Sequence, residues 1–186
     1  MSQADKIYQK ILKDIKVELT EEFDRNFERK AFFTDPAWQP TKLNNKRGSL
    51  MMRTGTLRNS IHSELTTDGV KFSSAVPYAN LHNEGGTLKV TPQMKKFFWA
   101  KYYLAYGSVS YSIKTKQPNN TKRNKMLNEE ATYWRNMALM KVGTVLTIPE
   151  RRFIGDHPQV QVLVKQVVDD NMKNLEQYIY NLLKQK

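Results

Sequence analysis

The 186-residue chain contains no cysteine, which excludes a disulfide scaffold and any thiolate metal site. Its N-terminal residues lack the apolar stretch of a secretory signal. The longest apolar runs, such as residues 97–100, are far shorter than the ~18 residues that predict a membrane span. We therefore expect a protein that stays inside the cell and has no membrane partner.

Signatures of catalysis are also scarce. The sequence has no Gly-rich phosphate loop of either common spacing and no Gly-x-Ser-x-Gly turn. The histidines, His62, His82 and His157, share no short metal-binding spacing, and His82 and Glu84 form an acid–base pair only if both face one substrate atom. No enzyme activity, metal or cofactor is predicted. A metal-independent ribonuclease toxin that uses His82 or His157 as acid or base stays open as an alternative.

The composition predicts a folded chain with a localised positive charge. Apolar residues make up 39% of the sequence, enough for a core, and the length favours one domain over residues 1–186. The formal net charge is +12, and residues 89–125 hold nine basic side chains and no acidic one. Such a field favours a polyanion or an acidic protein surface as partner.

Apolar spacing predicts four helices. The first is a long amphipathic helix over residues 3–33, ended by Asp35-Pro36. The second begins at the Thr91-Pro92 cap and runs to about residue 106, and the third is capped by Asn128 and runs to about residue 141. Pro158 opens the last helix.

Between the helices, alternation and turn residues predict short strands and turns. Residues 61–74 are expected to form a β-hairpin with positive φ values at Asp68-Gly69, between short helical turns near residues 54–57 and 77–84. Further strands are expected at 87–91 and 142–148. Residues 107–126 combine a candidate strand at 109–113 with a polar run, which indicates a flexible insertion. The whole is typical of an α+β fold: a small, mostly antiparallel sheet with long N-terminal and C-terminal helices packed on it.

One segment favours nucleic acid as the polyanion. Residues 95–103 interleave lysines with aromatic residues, as a surface that stacks single-stranded bases does, although a helix with a buried aromatic stripe fits the same pattern. A small basic nucleic-acid-binding protein is therefore the main alternative function.

Four short motifs occur in order along the chain: Trp38–Pro40, Arg53–Ile61, Tyr78–Gly86 and Ile148–Gly155. In this order, between two long helices, they closely resemble the tailed-phage virion morphogenesis family, the Mu-like tail-completion proteins. The sequence departs from the family pattern in two places. Glu150-Arg151-Arg152 stands where the family usually has Ala-Arg-Pro, and residues 107–126 resemble an insertion.

The resemblance implies a small α+β structural protein without enzyme activity. It implies a virion location at the tail or neck, reached from the bacterial host cytoplasm during assembly, and a role in completing the tail or joining it to the head. Its partners would be other tail or neck proteins and further copies of itself in a ring, with a non-specific contact to DNA as an added expectation.

The residues of the motifs also have physical interpretations. We expect Gly55 and the Gly85-Gly86 pair at turns, Leu57 in the core, and Tyr78 and Phe153 as anchors with buried rings. Trp38 is expected to hold its loop to the core. The family-motif positions are Trp38, Pro40, Thr54, Gly55, Leu57, Ser60, Tyr78, His82, Gly85, Gly86, Pro149, Arg151, Phe153 and Gly155.

Contacts with DNA or with a partner are expected at exposed basic positions. Besides these, Trp38 and the insertion are candidates for contact with neighbouring subunits. The basic candidates are Lys46, Arg47, Lys95, Lys96, Lys101, Lys116, Lys122 and Arg123.

Overall fold

The computed structural model describes residues 3–41 and 48–184 and gives them an α+β fold, as predicted. Instead of one sheet, the described strands form two separate antiparallel pairs, β1–β2 and β3–β4. The elements in chain order are α1 (Gln3–Arg29), α2 (Thr56–Asn59), β1 (Ile61–Leu65), β2 (Val70–Ser74), α3 (Ala79–Asn83), β3 (Gly86–Lys89), α4 (Pro92–Gly107), α5 (Lys122–Leu139), β4 (Val145–Ile148) and α6 (Pro158–Lys184).

The described residues divide into two compact units. Unit 1 comprises residues 3–40, 48–85 and 149–184, and unit 2 comprises residue 41 and residues 86–148. The chain leaves unit 1 after Gly85 and returns to it at Pro149. This division into units does not test the prediction of one domain over residues 1–186, which stays a prediction.

Helix α1 ends at Arg29, four residues earlier than its apolar pattern predicts. Lys30 adopts a left-handed conformation with φ 57°, and the Ala31 N–H donates to the Asn26 carbonyl oxygen at 3.3 Å. This is the bond of a Schellman cap, which satisfies a carbonyl at the helix end. Phe32 and Phe33 are buried although they lie outside the helix. The apolar pattern therefore continues through a turn and predicts the wrong boundary.

The first core of unit 1 joins α1 to α6 and to the β1–β2 hairpin. Ile15, Leu19 and Phe23 of α1 pack against the apolar stripe of α6, from Val160 to Val168. The Phe23 ring also meets the Phe72 ring of β2 edge to face, with centroids 4.8 Å apart. Helix α1 therefore packs on the hairpin, as the sequence predicts, and α6 packs against the same apolar core.

The β1–β2 hairpin is confirmed, but its predicted turn is wrong. Ile61 pairs with Ser74 and Leu65 with Val70, and the Thr66 N–H donates to the Gly69 carbonyl oxygen at 2.9 Å. Neither Asp68 nor Gly69 has a positive φ. The four-residue connection closes without the left-handed conformations that a two-residue turn requires.

Unit 2 contains α4, α5 and the β3–β4 pair. The side chain of Thr91 caps α4 by accepting a hydrogen bond from the Met94 N–H at 3.1 Å, as the Thr91-Pro92 signal predicts. Val90, Phe98 and Ala138 form the buried centre, with the Trp134 ring stacked on Phe98 at 5.9 Å between centroids. Two helices and a strand pair thus enclose a core of their own.

The third predicted helix begins earlier than expected. Helix α5 starts at Lys122, where Thr121 Oγ1 accepts a hydrogen bond from the Asn124 N–H at 3.1 Å, so Asn128 is not its cap. Thr121 has the extended backbone that an N-cap needs, whereas Asn128 lies inside the helix. The candidate strand at 109–113 is also wrong, since the structure has only an isolated bridge between Tyr111 and Pro118 there. The flexibility of residues 107–126 stays a prediction.

Candidate functional site

Residues from several of the sequence motifs converge in a second core of unit 1. Trp38, Leu57 and Phe153, each from a different motif, are buried together with Phe27 of α1 and Ala79 of α3. The centroid of the Phe27 ring lies 5.8 Å from Trp38 and 5.1 Å from Phe153. The motifs therefore specify one packed centre, and we call it the motif core.

Hydrogen bonds hold the first motif against the last. The Trp38 Nε1–H donates to the Arg152 carbonyl oxygen at 3.0 Å. Arg151 donates from Nε and Nη2 to the Gln39 carbonyl oxygen at 3.0 and 2.9 Å. Trp38 holds its loop to the core, as predicted. Because its indole is buried, it is not the exposed subunit contact that the sequence also suggested.

Arg151 is a buried cation of the motif core. It forms no salt bridge with any carboxylate in the described part of the chain, and burial lowers the pKa of its guanidinium. Its backbone N–H donates to the His82 carbonyl oxygen at 2.8 Å. The backbone of Arg151 therefore binds the third motif, while its side chain binds the first.

Two asparagines that the sequence reasoning missed complete the motif core. Asn83 Oδ1 accepts hydrogen bonds from the Phe153 N–H at 2.9 Å and from the Ile154 N–H at 3.1 Å. Asn26 Nδ2 donates to the Phe153 carbonyl oxygen at 3.2 Å. The position of Asn83 within the third motif was the available signal, whereas nothing in the local sequence marks Asn26.

The remaining motif positions lie at turns and on the surface. Gly55 and Gly85 have φ values of 76° and 70°, the left-handed conformation that glycine adopts without strain. The prediction of a buried Tyr78 ring is wrong, because the side chain is 44% exposed and meets the His82 ring edge to face. Ser60 Oγ donates to the Leu57 carbonyl oxygen at 2.7 Å. Pro149 is half-buried, and the exposed positions are Pro40, Thr54, Gly86 and Gly155.

Two of the three histidines, His157 and His82, contact neighbouring groups of unit 1. His157 Nδ1 accepts from the Gln159 N–H at 3.1 Å, so Nε2 carries the proton and faces Asp35 Oδ1 at 3.3 Å. His82 is half-buried, and burial together with the nearby Arg151 lowers its pKa. No hydrogen bond in the structure joins His82 to Glu84, so the acid–base pair considered from the sequence is not assembled.

Two further tests concern metals and membranes. Within residues 3–41 and 48–184, no three histidine, aspartate or glutamate side chains are grouped so that they could hold a metal ion. None of the helices in those residues has the length and apolarity required to cross a membrane.

The predicted basic contacts lie mainly in unit 2, and Lys46 and Arg47 lie outside the described residues. Lys95, Lys96 and Lys101 belong to α4, and the Lys101 ammonium lies 5.4 Å from the centre of the Phe97 ring. Lys116 lies in the loop before α5, and Lys122 and Arg123 form its first turn. All six lack a salt bridge within the described structure.

The charge of unit 2 is therefore poorly neutralised. Its residues 86–148 include eleven basic and two acidic side chains, a formal net charge of +9. In unit 1, by contrast, Arg25, Arg29 and Arg58 each bind carboxylates of α1. The unpaired cations of unit 2 remain available to an anionic partner.

The chain matches one protein family over a range that contains all four motifs. The model of the phage virion morphogenesis family matches residues 2–173, nearly the whole chain. No curated protein and no solved structure matches the chain.

Proposed function

Because the chain belongs to the phage virion morphogenesis family, we propose that it is a non-enzymatic structural protein that completes the phage tail or joins the tail to the head. The observation that carries the proposal is the family match over residues 2–173, which includes all four motifs. Trp38, Leu57 and Phe153 of the motifs pack in one core, and Gly55 and Gly85 adopt turn conformations, which supports a scaffold rather than a reaction centre. The role is then mechanical, and partners are recognised by surface complementarity.

We further propose that copies of the chain assemble as a ring in the tail or neck of the virion. Closed cyclic symmetry is the usual way in which identical chains present the same surface around an axis. Assembly would take place in the cytoplasm of the bacterial host, where other tail or neck proteins provide the docking surface. A ring then closes the end of the tail without turnover of a substrate.

The assembly role is tested by removing the protein from an infecting phage and examining the particles by electron microscopy. We expect separate heads and tails, or tails of uneven length, and restoration of joined infectious particles when the purified protein is added. Light scattering and negative-stain microscopy of the protein, alone and mixed with defective tails, should show annular particles or capped tails. Fully joined, infectious particles formed without the protein would contradict the proposal.

A second candidate function is non-specific DNA binding, and the net charge of +9 in residues 86–148 favours it. Lysines and arginines that replace the counterions of a phosphate backbone give an affinity that falls steeply with salt. A gel shift with duplex DNA at increasing salt tests this contact. In a ring, the same basic surface would face DNA that passes through the lumen, and the contact would accompany the assembly role.

Neither function requires a catalytic histidine. Incubation with labelled RNA and DNA, beside the His82→Ala and His157→Ala variants, tests the ribonuclease alternative. We expect no cleavage by any of the three proteins. Cleavage by the unmodified chain that disappears in one variant would replace the structural proposal by an enzymatic one.

A further inference from the structure

One side of helix α4 carries a continuous stripe of cations and aromatic rings. Residues three and four apart share a helix face, so Lys95 and Lys96 at one end lead to Trp99 and then to the tyrosines further along. We call this set the α4 stripe, and its members are Lys95, Lys96, Trp99, Tyr102, Tyr103 and Tyr106.

The rings of the α4 stripe contact one another, and two of the four are exposed to solvent. Trp99 and Tyr103 are stacked with centroids 5.9 Å apart, and Tyr102 and Tyr106 are stacked at 5.7 Å. Tyr103 is 64% exposed and Tyr106 is 50% exposed. Within this row of ordered rings, Tyr103 and Tyr106 are therefore the two that remain accessible to a partner.

The core of unit 2 accounts for one member of this row, because Trp99 packs against that core, but it does not account for Tyr103 and Tyr106. The buried residues of α4 are Phe98 and Ala105, which lie on the opposite side of the helix from Lys96 and Tyr103. The sequence-based alternative of a buried aromatic stripe holds for Phe98, which is buried, and in part for Trp99, which packs beside it. Two large rings exposed side by side indicate an interaction surface, whereas a single exposed ring would need no explanation.

The charge around the row indicates the chemistry of that partner. Lys95 and Lys96 form no salt bridge with a described residue, and the segment from Lys89 to Lys125 contains no acidic side chain. An anionic chain is attracted to this end of the stripe, whereas a second copy of unit 2, with the same positive charge, is repelled. Nucleic acid combines this negative charge with a flat face on every base, which can stack on aromatic rings, so the row of rings favours it over an acidic protein surface.

We propose that the α4 stripe binds single-stranded nucleic acid, with phosphates at Lys95 and Lys96 and bases stacked on Tyr103 and Tyr106. The inference rests on the DNA contact proposed above and specifies its substrate class. The bases of a duplex are already stacked on each other, so the exposed rings add affinity only for a single strand. Sequence preference should be weak, because every base has a face that can stack.

The test is fluorescence anisotropy with the full-length protein and three polyanions: a 30-nucleotide oligothymidine, a 30-base-pair duplex and heparin, which has no bases. We expect the protein to bind oligothymidine more tightly than the other two. The double variant Y103A/Y106A should lose about tenfold in affinity for oligothymidine and little for heparin. The variant K95Q/K96Q should weaken binding to all three and reduce the salt dependence.

Matched controls come from exposed residues of unit 1. Tyr178→Ala removes a similarly exposed tyrosine of α6, and K13Q/K165Q removes two exposed lysines that form no salt bridge with a described residue, so both should leave the affinities unchanged. Circular dichroism checks that the variants fold, as expected for changes at exposed positions.

The possible outcomes separate this inference from the proposals on which it depends. Equal affinity for oligothymidine and duplex, with no effect of Y103A/Y106A, overturns the single-strand site and leaves the DNA contact standing. Absence of binding to any nucleic acid overturns both, without bearing on the assembly role. A loss of oligomer mass in Y103A/Y106A, with oligothymidine affinity unchanged, assigns the stripe to a protein interface and also overturns the inference.

Discussion

Asn26 and Phe153 are both fully buried, and Asn26 Nδ2 donates a hydrogen bond to the Phe153 carbonyl oxygen at 3.2 Å. The same side chain accepts through Oδ1 from the Phe33 N–H at 2.9 Å. One amide therefore connects helix α1, the turn that ends it and the last family motif. This arrangement explains how a polar side chain can occupy the centre of unit 1.

Replacement of Asn26 by alanine should destabilise unit 1. The change leaves the Phe33 N–H and the Phe153 carbonyl without partners in a buried place, which costs about 1–3 kcal/mol. The midpoint of urea unfolding should fall accordingly. Asn174→Ala, which removes an exposed asparagine of α6, is the control and should leave the midpoint unchanged. An equal midpoint for both variants would contradict the role given to Asn26.

Arg58 should not tolerate lysine. It donates from Nε and Nη2 to the carboxylate of Asp24 and from Nη2 to Glu28 Oε1 at 2.8 Å, so it connects α2 to α1. A lysine ammonium cannot reproduce this forked geometry, and we expect a loss of about 1 kcal/mol that becomes smaller in 1 M salt.

The measurement for Arg58→Lys is urea unfolding at low and at high salt. Arg53→Lys changes an exposed arginine of the same motif and should have no effect at either salt concentration. If the two variants unfolded alike, the fork between α1 and α2 would have no energetic importance.

Acid should destabilise the protein through His82. Burial and then the charge of Arg151 lower the pKa of His82 from its usual 6.5, so the folded state prefers the neutral ring. The unfolded chain takes up a proton first as the pH falls, and the stability present above about pH 6.5 is lost through and below that value. The pKa of Asp14 is lowered by hydrogen bonds from Lys10 and then Asn171. Its protonation therefore reduces the unfolding free energy in a separate range, below about pH 4.

Urea unfolding between pH 5 and pH 7.5 measures this effect. His82→Gln keeps a polar side chain but cannot titrate, so its unfolding free energy should vary less over that range. His62→Gln, at an exposed position of β1, is the control and should keep the dependence of the unmodified chain. An unchanged pH dependence in His82→Gln would assign the acid sensitivity to other groups.

Local periodicity predicted those parts of the fold that depend on local sequence. Helix α4 begins where Thr91-Pro92 indicates, and α6 begins at Pro158 as predicted. The end of α1 was missed because Ala31, Phe32 and Phe33 extend the apolar pattern, while Lys30 turns the chain. Apolar spacing reports burial, and it does not report the backbone conformation that achieves burial.

The motif core was predictable only in part, for a related reason. Trp38 and Phe153 are large rings in recognisable motifs and are buried, although the same argument from ring size fails for Tyr78. Phe153, the partner that Asn83 and Asn26 share, lies 70 and 127 residues from them along the chain. A buried asparagine is defined by the backbone groups that it satisfies, and those groups are known only once the chain has folded.

Asn124 gives a last prediction, about the loop before α5. It is buried, its Oδ1 accepts from the Ser110 N–H at 3.1 Å, and its Nδ2 donates to the carbonyl oxygens of Ser110 and Asn119 at 2.8 and 2.7 Å. Asn124 therefore holds both ends of the loop from 110 to 121, beside the backbone hydrogen bond from the Asn119 N–H to the Ser110 carbonyl oxygen at 2.9 Å. Asn124→Ala should open the loop and expose the bonds after Lys114 and Lys116 to trypsin, with cleavage roughly tenfold faster.

Limited proteolysis followed by mass spectrometry of the fragments measures this opening. Asn136→Ala, at an exposed position of the same helix, should be cleaved at the rate of the unmodified chain. Because the sequence predicts a flexible insertion at 107–126, the cleavage rate of the unmodified chain in this loop is the main comparison. If it were cleaved there as fast as Asn124→Ala, the loop would already be open in solution, and the hydrogen bonds of Asn124 would not restrain it.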